Sequence, residues 1–316
     1  MPSESELYGN FIEYLRAHGA EGIGIYIGTK AEVQRRTQCP FCRFTQRVLA
    51  GSRYSDAPDS SKCFLQLKFE AIWLTLRASN GTEIGLLIGL GKQIVLVGHS
   101  EQAGPKTGCI VDPGPPNYGR IMRWLELCDS LHKTVCPVPS RLQIRRKTIP
   151  HLLRVVDLVD NCLVDIDWQE RYAALSYVWG SANPPMLKKS NQLVLSKLGS
   201  LQQLRRQMPA TIRDVMEFAA KIGLRYLWFD SLCLVQDDPR DLRLGIMNMD
   251  VVYEGAYVTV IAANGAGADS GLPGMGAAAR VVTQDLEELK SGLQILQVKS
   301  LDSHLNPSVW GSRGWT

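Results

Sequence analysis

No stretch of the sequence is apolar enough to cross a bilayer. The longest run without a charge, Tyr172 to Leu187, contains Gly180, Asn183, Pro184 and Pro185, whereas a membrane helix needs about 20 predominantly apolar residues. The N-terminus, MPSESELYGNF, has no basic segment followed by an apolar one, so no secretory leader is expected and the implied location is cytoplasmic. Lys and Arg number 35 against 31 Asp and Glu, too small an excess to signal a nucleic-acid binder, so neither membrane nor nucleic acid is expected as a partner. Histidine is scarce: five in 316 residues, with none between His151 and His304. A Cys-His dyad in the C-terminal half would therefore have to recruit its base from a flank. Repeats of solenoid or propeller length are missing as well.

What is present is ordinary globular composition, 45% hydrophobic and 21% charged over a length suited to about two domains. Eight cysteines without a leader read as reduced thiols, with metal ligation open to a few. The segment 137–150 holds Pro137, Pro139 and Pro150 with Arg141, Arg145, Arg146 and Lys147; it reads as a basic linker because proline disfavours both helix interior and central strand. This divides the chain into a region 1–136, the linker 137–150 and a domain 151–316.

The first region reads as β-rich. Ile72 to Ala78 and Glu83 to Ile88 flank Asn80-Gly81, a dipeptide that takes positive φ at little cost, and a further strand is expected at Gln93 to Gly98. Ile121, Trp124, Leu125, Cys128 and Leu131 then mark one amphipathic helix. After the linker, strands alternate with helices. Tyr172 to Val178, Tyr226 to Asp230 and Tyr257 to Ala263 are the strands. Between them lie a helix with Ile212, Val215, Met216, Ala219 and Ile222 on one face, closed by Gly223, and a second helix from Asp238-Pro239 with Leu242, Ile246, Met249 and Tyr253 on one face. The expected class is α/β, a mostly parallel sheet with flanking helices in the C-terminal half behind a smaller β-rich region.

In such sheets ligands bind beyond the carboxyl ends of the strands. Those ends carry Tyr177, Trp179 and Gly180; Asp230, Ser231 and Cys233; and Asn264 and Gly265. Asp230 follows the apolar run Tyr-Leu-Trp-Phe, where a charge is costly unless paired. Asp237 is a further carboxylate near that strand end, and Asp238 before Pro239 reads as a helix cap. Cys233 is either a nucleophile or a buried thiol. Cys39-Pro-Phe-Cys42 has the spacing of a zinc knuckle, and Cys128, His132 and Cys136 recur at intervals of four, so Cys39, Cys42, His132 and Cys136 are candidate ligands of a structural zinc. A thioredoxin-type redox motif at Cys39 and Cys42 lacks an evident strand-then-helix frame. Gly89-Leu-Gly91-Lys92 is not a phosphate loop, since Leu86 and Gln93 stand where Gly and Ser or Thr are required. The glycine-rich run 264–276 reads as a long mobile loop.

Three ordered blocks resemble the fungal heterokaryon-incompatibility (HET) domain family: Tyr172-Ala-Ala-Leu-Ser-Tyr-Val-Trp-Gly180, Leu227-Trp-Phe-Asp-Ser-Leu-Cys-Leu-Val-Gln-Asp237, and Ser312-Arg-Gly-Trp-Thr316. Met208 to Ile212, Met249 to Tyr253 and Ala256 to Ala263 fit between them, and Trp124 to Cys128 with His132 and Cys136 is similar to the segment that often precedes the domain. The third block in this family continues with Gln-Glu, so the resemblance implies a member truncated at its C-terminus. It also implies a role in fungal non-self recognition, an allorecognition akin to innate immunity that ends in growth arrest or programmed cell death. A remote similarity of the family to Toll/interleukin-1 receptor domains suggests a comparable fold and two modes of action. One is self-association or protein-partner binding through Trp179, Trp228 and Trp310. The other is cleavage of NAD as substrate, with Asp230, then Glu254, as catalytic carboxylate, Tyr177 or Trp179 stacking a base, and Arg313 either on a pyrophosphate or in a structural ion pair with Asp230. Gly180, Cys233, Gln236, Asp237 and Trp315 complete the candidate ligand or interface set. An inactive relic is the third reading.

Overall fold

The computed structural model describes residues 13, 15, 17, 24–52, 54–68, 71–88, 92–97, 107–131, 151–282, 284–290, 293–299 and 301–313. The linker 137–150 and the candidate residues His132, Cys136 and Trp315 lie outside them. Two compact units form, Met1–Asp112 with Val282–Asn306, and Pro113–Val281 with Pro307–Thr316.

In the first unit β1 (Ile25–Thr29) runs into helices α1 (Lys30–Arg35) and α2 (Pro40–Ala50), followed by β2 (Lys62–Lys68), β3 (Ala71–Arg77), β4 (Glu83–Ile88), β5 (Lys92–Val97) and the short β6 (Thr107–Gly108). Helix α1 starts with a reciprocal cap: the Thr29 hydroxyl accepts the Glu32 N–H at 3.2 Å while the Glu32 carboxylate accepts the Thr29 N–H at 2.8 Å. The expected hairpin is β3–β4, antiparallel, with Gly81 at φ +88° in its turn. Helix α2 packs Phe44, Val48 and Leu49 into a core shared with Leu65, Leu74, Leu76 and Ile94 from the sheet.

The second unit begins with α3 (Tyr118–Leu131), the amphipathic helix read from the sequence, which has no fully buried residue but lays Tyr118, Ile121 and Leu125 on the core. Next come β7 (Leu153–Asp157), β8 (Cys162–Ile166), β9 (Tyr172–Ser176), the short helices α4 (Gln192–Leu195) and α5 (Leu201–Leu204), and α6 (Ala210–Lys221). The unit continues through β10 (Tyr226–Trp228), α7 (Asp230–Cys233), α8 (Pro239–Met247), α9 (Met249–Gly255) and β11 (Val258–Ile261). The chain then returns to the first unit, where β12 (Leu286–Lys290) and β13 (Leu293–Lys299) extend the sheet to the order β1-β2-β3-β5-β13-β12, with β4 on β3 and β6 on β5. Buried Glu287 of β12 ties the sheet to α2 by accepting from Arg43 and Arg47.

The second unit is α/β as expected, but its sheet is mixed rather than mostly parallel. In the order β11-β9-β10-β7-β8, the three expected strands β11, β9 and β10 are parallel and the hairpin β7–β8 joins antiparallel to β10. Period-two alternation sends Ala173, Leu175 and Leu227 to one face and Tyr172, Ala174 and Trp228 to the other. On the first face Ile212, Val215, Met216 and Ala219 of α6 and its C-cap Ile222 are buried, the stripe read from the sequence. On the second face lie Val251 and Val252 of α9, where the buried Tyr172 hydroxyl donates to the Val252 carbonyl at 2.6 Å. The single helix expected from Asp238 to Tyr253 is broken at Asn248, whose side-chain amide donates to the Leu244 carbonyl at 2.8 Å and caps α8, so that α9 starts anew. Asp238 is the N-cap of α8, as expected, accepting the Arg240 N–H at 3.1 Å.

The β7–β8 turn hangs on Asp157, which is 1% exposed. Its carboxylate accepts from the N–H groups of Val159 and Asp160 at 2.9 and 3.0 Å and from the Arg225 guanidinium at 2.7 Å. Burial pushes its pKa up, but the Arg225 bond and the two backbone donors outweigh that and hold it below the ordinary carboxylate value. A depressed folded pKa means the stabilisation is present above the unfolded value and is lost as pH falls through the folded one. Asp157→Asn is therefore expected to lower unfolding free energy at neutral pH by roughly 2–4 kcal/mol, with the gap to wild type closing in acid; urea melts across pH check this.

Candidate functional site

Strands β9 and β10 run parallel with Trp228 beside Ala174, so their carboxyl ends, Ser176-Tyr177 and Phe229-Asp230, open on one rim. Asp230 starts the four-residue α7 immediately after β10. The Trp179 indole N–H, from beyond the neighbouring strand, lies 3.2 and 3.0 Å from the two oxygens of the Asp230 carboxylate. The Tyr177 hydroxyl is buried beside this carboxylate but outside hydrogen-bonding geometry, and the Ser231 hydroxyl is likewise without a partner among the described residues. From the chain's C-terminal segment, Arg313 donates to the Tyr177 carbonyl at 2.6 Å and the Trp310 indole donates to the Ser176 hydroxyl at 2.8 Å. Gln236 turns its amide back to the carbonyls of Asp230 and Leu234, at 2.9 and 3.1 Å.

A cavity of about 220 Å³ opens at this rim. Ser176, Tyr177, Asp230, Gln236 and Arg313 form its polar side, and Leu234, Leu242, Ile246, Met249 and Tyr253 its apolar side. Burial raises the Asp230 pKa, and the indole donor, the Tyr177 hydroxyl, the Ser231 N–H and the Arg313 charge pull against it without cancelling it. Burial also pushes Tyr253 up to about 12, and burial with the Asp230 charge pushes Tyr177 up, so both phenols keep their protons at neutral pH. The Tyr253 ring is fixed edge-on against Trp228, with centroids 5.6 Å apart. A half-buried carboxylate, two protonated phenols and a guanidinium around one small cavity make a site that can bind a polar ligand and hold a charge against a developing cation.

The structure thus brings Tyr177, Trp179, Asp230, Gln236 and Arg313 together. The other candidates sit elsewhere. Glu254 is exposed on α9 and does not line the cavity. Cys233 is buried in the core, its thiol raised to about 12 chiefly by burial, with the Phe229 N–H directed at its sulfur at 3.5 Å. Asp237 accepts the Lys189 N–H at 2.8 Å and so fastens the segment before α4. Cys39 and Cys42 belong to the other unit, at the start of α2; among the described residues, no three His, Cys, Asp or Glu side chains gather so as to hold a metal ion.

Gly180 serves loop contact. It sits at φ +61°, and a Cβ there would lie 2.7 Å from the Gly267 Cα, so two glycines let the loop after β9 touch the glycine-rich run 264–276. That run, expected to be mobile, is pinned instead: Ala268 N–H donates to the Trp179 carbonyl at 3.2 Å, Gly271 N–H to the Thr211 hydroxyl at 3.2 Å, and Leu272 N–H to the buried Asp214 carboxylate at 2.8 Å. The sequence reading missed that Leu242, Ile246, Met249 and Tyr253 form a cavity wall. Their spacing marked a helix face, but only the break at Asn248 and the position of β10 decide what that face looks onto.

Residues 172–316 match the family described as Heterokaryon incompatibility protein (HET). No curated protein and no solved structure matches the chain. The match begins at β9, leaving the β7–β8 hairpin upstream of it within the same unit.

A folded pKa raised above the unfolded one means that Asp230 stabilises the fold fully only below the unfolded value, and that this contribution is lost as pH rises through the folded pKa. Asp230→Asn keeps an oxygen for the Trp179 indole and removes the buried charge. It is expected to melt above wild type at neutral pH, the difference shrinking as pH falls into the ordinary carboxylate range; thermal melts at stepped pH are the check.

Proposed function

We propose that the heterokaryon-incompatibility domain at residues 172–316 is an effector of fungal non-self recognition that arrests growth through the Asp230 cavity, by hydrolysing the N-glycosidic bond of a nucleotide such as NAD. The observation that carries this reading is the half-buried carboxylate held by Trp179 on a cavity that Arg313 also lines. Cleaving such a bond builds positive charge on the ribosyl C1′, and a carboxylate in a partly dry site stabilises it more than one in water would. The cavity's size suits a ring and its sugar rather than a whole dinucleotide, and Arg313, exposed at its lip, suits the phosphates that stay outside. The three tryptophans considered as interface anchors are engaged internally: Trp228 is buried, Trp179 binds Asp230 and Trp310 binds Ser176.

A second reading, effector action by self-association, draws on a different surface. Leu193 and Leu198 are 83% and 77% exposed, Val159 and Val194 are exposed as well, and Gly199 N–H donates to the Asp160 carbonyl at 2.8 Å, so the two segments are neighbours. A contiguous exposed apolar patch is a feature of protein-binding surfaces.

One experiment separates the two. Purified protein is assayed for NAD consumption, and growth is scored on induction in a fungal host, for wild type, Asp230→Asn and the double variant Leu193→Asp with Leu198→Asp. The cavity reading expects Asp230→Asn to lose at least about 100-fold in NAD consumption and to permit growth, while the surface variant behaves as wild type. Growth arrest without NAD consumption, abolished only by the surface variant, would replace it with the second reading.

A further inference from the structure

In the first unit, Cys39-Pro-Phe-Cys42 opens the 11-residue helix α2, with Cys39 as N-cap, Pro40 as the first helical residue and Cys42 in the first turn. The Cys39 sulfur accepts the Cys42 N–H at 3.4 Å, so it lies against the turn that carries the second thiol. From helix rise and radius, Cα atoms three residues apart here are about 5 Å apart, inside the roughly 4.4–6.8 Å that a disulfide spans. The two thiols differ in access. Cys39 is partly exposed, Cys42 is 2% exposed, and Cys63 of β2 is fully buried in the same core. A reagent from solvent therefore meets Cys39 first, and the thiol best placed to act next is Cys42.

We propose that Cys39 and Cys42 are a dithiol–disulfide exchange site whose substrates are low-molecular-weight disulfides of the glutathione class. The Cys39 thiolate attacks one sulfur of the small disulfide, forming a mixed disulfide and expelling one thiolate, which takes up the proton that Cys39 gave to solvent. Cys42 then gives up its proton and attacks the Cys39 sulfur, expelling the second small thiolate, which is protonated in turn. The protein pair is oxidised by two electrons to the Cys39–Cys42 disulfide, and one small disulfide is reduced to two thiols. The N-cap position sets the Cys39 sulfur against the first turn, where the Cys42 N–H meets it at 3.4 Å. Burial keeps Cys42 from reacting with solvent reagents before Cys39 does.

The test equilibrates the full chain with mixtures of reduced and oxidised glutathione, quenches by alkylation and maps peptides by mass spectrometry. The expected result is a Cys39–Cys42 link in wild type and in Cys63→Ser, a glutathione mixed disulfide trapped on Cys39 in Cys42→Ser, and no modification of Cys42 or Cys63 in Cys39→Ser, which keeps an N-cap oxygen. If Cys42→Ser loses its far-ultraviolet circular dichroism, the wild-type and Cys63→Ser maps decide. The proposal is overturned if Cys39 stays alkylatable at every ratio, if oxidation joins Cys42 to Cys63, or if the full chain holds stoichiometric zinc that alkylation of Cys39 and Cys42 releases.

Discussion

The hydrogen bond from the Trp179 indole to the Asp230 carboxylate joins the carboxyl ends of two adjacent parallel strands. A carboxylate directly after Tyr226-Leu-Trp-Phe229 sits where water is being excluded, and without a donor its charge would destabilise the sheet rim. The indole supplies the donor, and much of the surrounding structure serves to hold that indole in place. The Trp179 carbonyl takes the Ala268 N–H, Gly180 and Gly267 let the two loops touch, and Thr211 and Asp214 at the start of α6 hold the far side of the glycine-rich run. Arg313 and Trp310 then close over the end of β9. One half-buried carboxylate thus sits at the centre of contacts among four segments distant in sequence.

The site also shows why its aromatic residues are not interchangeable. Tyr177 and Tyr253 both keep their protons because burial disfavours phenolate, yet Tyr253 is locked against Trp228 while the Tyr177 hydroxyl has no hydrogen-bond partner among the described residues beside Asp230. An unpartnered buried hydroxyl costs free energy unless water or a ligand satisfies it. That hydroxyl lies beside the carboxylate whose pKa burial raises.

Asp157 gives the contrasting case. It is as buried as any carboxylate in the unit, but two backbone N–H groups and Arg225 hold its charge, and its pKa moves down rather than up. The two aspartates differ in donor count and in the proximity of a full positive charge, which is why one anchors a hairpin and the other faces a cavity. Neither outcome can be read from the residue type.

The local pattern determined the elements. The stripe Ile212, Val215, Met216, Ala219 and Ile222, the strands at Tyr172, Tyr226 and Val258, the Asn80-Gly81 turn and the Asp238 cap all follow from spacing and backbone preference, which act within a few residues. The placement of Asp230, Tyr177 and Trp179 near one rim followed from the rule for parallel strands. The tertiary structure decided the rest, because it depends on long-range pairing. The β7–β8 hairpin joins the edge antiparallel and makes the sheet mixed, although its signal, Leu153-Arg-Val-Val-Asp157 and Cys162-Leu-Val-Asp-Ile166 about an Asp-Asn turn, lay in the sequence. Asn248 ends one expected helix, its side-chain amide capping the Leu244 carbonyl, and the residues read as one helix face become a cavity wall. The burial that separates Cys39 from Cys42, and Asp230 from Glu254, is set by what packs above each side chain, information no local window of sequence contains.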